Sequence, residues 1–147
     1  MPRRDDSRRL RDALRRLLVA HGALDDQRRP CGAPLSQAHA WALLELRLGA
    51  MSVGDLAERL NIDRTNVSRL CAKMEKLGEL DRVTDPEDRR ARILQLTVEG
   101  QRVAANIDRS SSAHFREVAS TIDFDRDALF GALDALSCAL ENRRAKE

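Results

Sequence analysis

Residues 52–97 show two short helical patterns joined by a turn and followed by a two-stranded hairpin, and this order limits the fold more than any other feature. The second pattern, over residues 64–77, has two different faces. Apolar residues recur there at helical spacing: Val67, Leu70, Cys71, Met74 and Leu77. At about 100° per residue, the opposite face carries Thr65, Ser68, Arg69, Ala72 and Lys76. Short hydrogen-bonding groups beside a guanidinium and a small residue suit entry into a DNA major groove.

Capping residues mark where both helices start and end. Ser52 and Asp55 form a capping-box-like pair, with Asp in place of the commoner Glu, and predict that the first helix begins here. Residues 61–62 make the turn, and Asp63 caps the second helix. Gly78 ends that helix, in a position where a left-handed residue is favoured. The combination predicts a helix-turn-helix.

The hairpin that follows has charged residues at its tip. Alternating residues 80–84 and the apolar run 93–96 predict two strands joined through a turn at residues 85–88. The tip residues are Asp85, Glu87, Asp88, Arg89, Arg90 and Arg92. They form either a solvated loop of mutually paired charges or a loop that holds an arginine out for a minor groove. In the second case Asp88 orients a neighbouring arginine, and the place of the loop after a recognition-like helix favours this second interpretation.

Leucine stripes lie outside this central unit. Ser7 is expected to cap a first helix, Ser36 a helix through residue 46, Thr97 a long helix to about residue 120, and Asp125 a last helix. Near both termini, leucines repeat at helical or heptad spacing: Leu10, Leu14, Leu17, Leu129, Leu133, Leu136 and Leu140. A stripe can be buried within one chain. Since these stripes flank the winged unit from opposite ends of the sequence, they predict a homodimer.

Bulk composition narrows the class of protein. With 147 residues, 42% of them hydrophobic, the chain is expected to form one domain or two small units that share a core. The net charge of +2 means that any basic surface comes from placement rather than from the total. Three cysteines without a CxxC pair, and no signal peptide, indicate a reducing cytoplasm and no metal site. No apolar run could span a bilayer, and no catalytic motif is present, so we expect neither a membrane protein nor an enzyme, and no cofactor.

Several runs resemble the MarR family of bacterial transcription regulators. They are LAERL at 56–60, DRTNVSRL at 63–70, EKLG at 75–78, DPEDRRAR at 85–92, and LQLT at 94–97 followed by Gly100. The resemblance covers residues 36–104 and is only architectural in the outer helices. It implies a mainly α fold with a small antiparallel β-wing. A winged helix-turn-helix at 35–97 would lie between dimerisation helices at 1–34 and 98–147.

The resemblance also implies roles for individual residues. Arg90 matches the wing arginine of the family, and residues 64–66, 68 and 69 match its recognition positions. The full predicted DNA-binding set is Ser52, Arg64, Thr65, Asn66, Ser68, Arg69, Lys73, Arg89, Arg90 and Arg92.

Effector sites are less clearly marked. Regulators of this family commonly bind small aromatic ligands in a cleft, and the residues that could reach such a cleft are His39, Trp41, His114 and Phe115. A packing role is favoured for each one, because the chain has no tyrosine and only 3% aromatic residues. Cys31 follows two arginines, which would raise the reactivity of its thiol, but an incidental loop cysteine is the favoured interpretation. Cys71 is expected in the core, and Cys138 opposite the last leucine stripe.

The sequence therefore predicts a dimeric, sequence-specific DNA-binding regulator. It would act as a repressor on a roughly palindromic double-stranded operator and be released by a small molecule or by oxidation. The alternative is a winged-helix protein-interaction module that does not read DNA.

Overall fold

The computed structural model describes residues 4–25 and 35–145. Its elements follow one another as α1 (Arg4–His21), α2 (Gln37–Leu48), α3 (Val53–Leu60), α4 (Arg64–Lys76), β1 (Leu80–Thr84), β2 (Arg92–Leu96), α5 (Val98–Ser120) and α6 (Arg126–Arg144). The fold is mainly helical with one two-stranded antiparallel sheet, which confirms the predicted fold class. By compactness the chain divides into two units, Met1–Ala113 and His114–Glu147, and α5 runs across the boundary. Within the described ranges, no helix is long and apolar enough to cross a membrane.

The predicted helix starts are confirmed at most of the capping residues. Ser52 and Asp55 form a complete capping box, in which each side chain accepts from the backbone N–H of the other residue. The side chains of Ser36, Asp63 and Asp125 each accept the backbone N–H three residues on, at 3.3, 2.9 and 3.1 Å. These bonds satisfy N–H groups that have no partner within the helix.

The predicted cap at Ser7 is wrong, because α1 already begins at Arg4 and Ser7 lies inside it. Arginine is a good helix former, and acidic residues in a first turn interact favourably with the helix dipole. The run before Ser7, with Arg4, Asp5 and Asp6, therefore extends the helix towards the N-terminus.

The hairpin pairs Leu80 with Leu96 and Thr84 with Arg92. Its apolar positions Leu80, Leu94 and Leu96 are buried. Met51 adds a short bridge, in which its N–H donates to the carbonyl of Leu94 at 3.2 Å and its own carbonyl accepts from Leu94 at 2.7 Å. This bridge, which the sequence did not predict, ties the start of the helix-turn-helix to the wing.

One core holds the first unit together. It includes Leu43 of α2, Leu56 of α3, Val67 of α4, Leu94 of β2 and Ile107 of α5, each at most 3% exposed. Since every element of the winged unit buries its apolar side in this cluster, the orientation of each polar face is fixed.

The end of α4, the start of the wing and the start of α5 meet at Glu79. Its N–H donates to the carbonyl of Met74 at 3.0 Å, and its carbonyl accepts the N–H of Thr97 at 3.0 Å. The Thr97 hydroxyl donates to the carbonyl of Gly78 at 2.5 Å and accepts the N–H of Gly100 at 3.1 Å. Gly78 has a φ of +72°, which confirms its predicted left-handed role.

Candidate nucleic-acid interface

The polar face of α4 points outward because its other face is buried in the core. Val67, Cys71 and Met74 have no solvent exposure. Of the predicted reading residues, Ser68 is half-buried and the others on this helix are exposed: Arg64, Thr65, Asn66, Arg69 and Lys73. The predicted apolar face is thereby confirmed at Val67, Cys71 and Met74, whereas Leu77, predicted on the same face, is half-exposed at the end of the helix. Contact of the polar face with DNA stays a prediction.

The cations of this face have free side chains. In the described part of the chain, no ion pair involves Arg64, Arg69 or Lys73. Unpaired guanidinium groups on a helix can donate hydrogen bonds to phosphate oxygens or to the O6 and N7 atoms of guanine. The N-terminus of α4 adds backbone N–H groups and the positive end of the helix dipole.

Two residues of the predicted DNA-binding set already have partners within the protein. The hydroxyl of Ser52 belongs to the capping box and donates to Asp55 Oδ2 at 2.8 Å. The Asn66 amide donates to the carboxylate of Asp63. The backbone N–H of Asn66 also donates to that carboxylate, and this bond lowers the pKa of Asp63 below its usual range. If Ser52 and Asn66 contact DNA, they would therefore do so with groups that also stabilise the starts of α3 and α4.

At the wing tip, the acidic residues bind the backbone of the loop. Asp85 Oδ1 accepts the N–H of Glu87 at 2.9 Å, and Asp88 Oδ1 accepts the N–H of Arg90 at 2.9 Å. In the described structure, the side chains of Arg89, Arg90 and Arg92 are exposed and form no ion pair. The loop is thus not a cluster of mutually paired charges, and Asp88 acts on Arg90 through the backbone.

An ion pair that the sequence did not predict links the wing to the helix. Arg82 Nε of β1 lies 3.1 Å from Glu75 Oε1 of α4. Both side chains are about one-third exposed, so the pair contributes little stability. It does neutralise the one carboxylate in the last two turns of α4, next to Lys73 and Lys76.

The residues considered for a ligand cleft have different environments. His39 has no solvent exposure and bonds to Glu79, an environment that agrees with the packing role favoured for it. Trp41 is half-exposed on α2. In the second unit, His114 and Phe115 stack edge to face with ring centroids 5.2 Å apart.

The three cysteines differ in what the structure shows of their environments. Cys31 lies outside the described residues. Cys71 is buried, as expected, and this burial raises the pKa of its thiol. Cys138 is exposed on α6. Within residues 4–25 and 35–145, no three His, Cys, Asp or Glu side chains are grouped so that they could hold a metal.

The leucines of the predicted dimer interface remain accessible in the single chain. Leu10 and Leu17 of α1 are about half-exposed, as are Leu133 and Leu140 of α6. Leu14, Leu129 and Leu136 are half-buried. Helix α6 has no buried residue at all. Such apolar exposure is typical of surfaces that contact another protein, and the homodimer stays a prediction.

Comparison with known proteins agrees with this geometry. The sequence model of the MarR family matches residues 33–91, which include α2 to α4, β1 and the wing tip. Over these residues the chain is similar to the MarR family. PrsX of Escherichia coli, described as an HTH-type transcriptional regulator, is 29% identical over 84 residues. That match covers 57% of this chain and 51% of PrsX, so the chain spans about half the length of the curated relative. PrsX is named as a transcription regulator, which agrees with the expectation that the chain is not an enzyme.

Solved structures extend the likeness beyond residues 33–91. FabT of Streptococcus pneumoniae, solved in complex with DNA, has a TM-score of 0.74 with 18% identity and covers 93% of this chain and 99% of its own. At that identity it shows the fold alone. BpsR of Bordetella bronchiseptica, whose DNA binding is regulated by 6-hydroxynicotinic acid, has a TM-score of 0.70 with 25% identity. The match covers 86% of this chain and 91% of BpsR.

Proposed function

We propose that the protein is a dimeric, sequence-specific transcription regulator that binds double-stranded DNA. The observation that carries this proposal is the set of unpaired, exposed cations on α4 and on the wing, held on one rigid core. The MarR-family match supports it, as do relatives that are named as transcription regulators and a structural neighbour that was solved with DNA.

In this proposal α4 and the wing read different features of DNA. Helix α4 lies in the major groove, where Arg69 reaches base edges and the smaller Ser68 and Ala72 allow close approach. Arg90 enters the adjacent minor groove, where negative potential is concentrated. A dimer presents two such units to successive major grooves of a roughly palindromic operator.

We further propose that the protein is a cytoplasmic repressor released by an effector. The small-molecule ligand reported for BpsR supports this class of effector, and the half-exposed Trp41 is the candidate contact on this chain. Oxidation at Cys31 is the second candidate. Mild peroxide should weaken operator binding by the wild type and not by Cys31→Ser. Unchanged wild-type binding would exclude this cysteine as a sensor of peroxide.

The experiment that tests the function measures DNA affinity against salt concentration. Fluorescence anisotropy would compare a labelled fragment from upstream of the protein's own gene with a scrambled fragment of equal length. We expect tighter binding to the upstream fragment, and a log–log salt slope that Arg90→Ala makes shallower by about one unit for one lost phosphate-type contact.

Arg102→Ala is the matched control. It removes the same charge, but Arg102 lies outside the interface and is paired with Glu99 at 2.6 Å. If the wild type binds neither fragment, the protein does not read DNA, and the winged helix is then a protein-interaction module.

A further inference from the structure

A polar pair lies inside the core of the winged unit. His39 Nε2 and Glu79 Oε2 are 2.6 Å apart, and the two residues are 0% and 5% exposed. Among residues 4–25 and 35–145, these are the two buried side chains of polar or charged type. Glutamate is almost never buried unless it is paired, so the contact is a specific feature of this core.

Each partner is fixed at its backbone. His39 lies in the first turn of α2, where its N–H donates to the cap Ser36. Glu79 lies between Gly78 and the first wing residue, Leu80, and its backbone bonds reach α4 and the cap of α5. Its side chain reaches α2, forty residues away in sequence. The pair therefore connects α2 to the point where the recognition helix ends and the wing begins.

A gain in stability does not account for the burial of this pair. A buried pair of polar or charged groups is often no more stabilising than apolar residues of similar volume, because both groups lose their hydration. His39 Nδ1 is also buried with no hydrogen-bond partner in the described structure, which adds a further cost. Unlike apolar contacts, however, a short charge-assisted hydrogen bond restricts both distance and direction.

We propose that His39 and Glu79 are positioning residues that set the direction in which the wing leaves α4, so that Arg90 and the reading face of α4 reach DNA together. The inference rests on the DNA-binding function proposed above. Removal of the pair leaves α4 packed through Val67, Cys71 and Met74. The strands keep their own core contacts, and what is lost is the side-chain contact that fixes the point where the wing leaves α4. The effect should therefore appear at Arg90 and not at Arg69.

A double-mutant cycle separates positioning from stability. In the wild-type background we expect Arg90→Ala to weaken operator binding on the order of tenfold, as for one charge-assisted contact. In a His39→Leu, Glu79→Leu background, which replaces both partners with apolar side chains, the same substitution should weaken binding by less than about threefold. Arg69→Ala should cause the same loss in both backgrounds.

Two controls test the specificity of the cycle. Leu46→Ala destabilises the same core from α2 and leaves both residues of the pair in place, so the effect of Arg90→Ala should stay on the order of tenfold. Glu79→Gln keeps a hydrogen-bonding group opposite His39 and should keep most of the Arg90 effect. If the double leucine variant does not fold, the cycle is run with His39→Ala and with Glu79→Ala, each at a concentration where circular dichroism shows native structure.

The outcomes are distinguishable. An Arg90→Ala effect that is equal in the wild type and in the variants without the pair would overturn the positioning role and leave the DNA-binding function intact. An Arg90→Ala effect that is absent already in the wild type would overturn the wing contact itself.

Discussion

Gly100 occupies a place where no side chain fits, and Gly100→Ala should destabilise the protein. An alanine Cβ built on Gly100 would lie 2.0 Å from the carbonyl oxygen of Glu79 and 2.9 Å from its carbonyl carbon. An ordinary contact lies at 3.4–4 Å, so the two backbones would have to separate by more than an ångström. A flexible side chain could turn away from such a clash, but the carbonyl of Glu79 is held by the N–H of Thr97.

The expected loss of stability in Gly100→Ala is the sum of three contributions. Overpacking costs about 1–3 kcal/mol, and loss of the bond between Thr97 and Glu79 costs about 0.5–1.5 kcal/mol. The higher helix propensity of alanine returns about 0.5–1 kcal/mol. The net destabilisation is about 0.5–4 kcal/mol, and the short Cβ distance favours the upper half of that range.

Gly54→Ala is the matched control. Gly54 lies in the first turn of α3, as Gly100 does in α5, and the nearest atom to a Cβ placed on Gly54 is Ser52 Oγ at 3.6 Å, an ordinary contact. This substitution should stabilise the protein by about 0.5–1 kcal/mol. Urea unfolding followed by circular dichroism at one protein concentration measures both changes. A Gly100→Ala variant as stable as Gly54→Ala would refute the reasoning.

Three further predictions concern assembly, thiols and pH. Leu133→Asp with Leu136→Asp should place charges in the dimer interface and yield monomers in sedimentation velocity, and a wild type that is monomeric at micromolar concentration would contradict the dimer. Iodoacetamide should modify the exposed Cys138 in the native protein and spare the buried Cys71, as mapped by peptide mass spectrometry, whereas equal labelling would contradict the described core. Since the folded-state pKa of Asp63 is lowered, its capping contribution is fully present above the ordinary value of 3.8 and is lost as the pH falls below it. Asp63→Ala should therefore lower the melting temperature at pH 7, and this difference should shrink below pH 3.8; a difference independent of pH would contradict it.

The sequence predicts best what depends on neighbouring residues. The caps at Ser52 and Asp63, the left-handed Gly78 and the two faces of α4 all follow from spacings of a few residues, and the structure confirms each of them. Alternation and turn residues also predict the hairpin of the wing, whose strands start and end close to the predicted positions.

Contacts between distant residues were not predictable in this way. The bridge from Met51 to Leu94 joins residues more than forty positions apart, and the pair of His39 and Glu79 joins residues forty apart. A single glutamate after Gly78 gives no local sign that it is buried. The start of α1 was misplaced for a different reason, since several polar residues there are all compatible with a helix.

The central claim is that the polar face of α4 reads DNA sequence, and Arg69→Ala tests it most directly. The measurement is the ratio of specific to non-specific affinity at one salt concentration, with folding checked by circular dichroism. We predict that the substitution costs about 1–3 kcal/mol per half-site on the operator and much less on random DNA, so the ratio falls. A ratio that stays at the wild-type value would contradict sequence reading through this face.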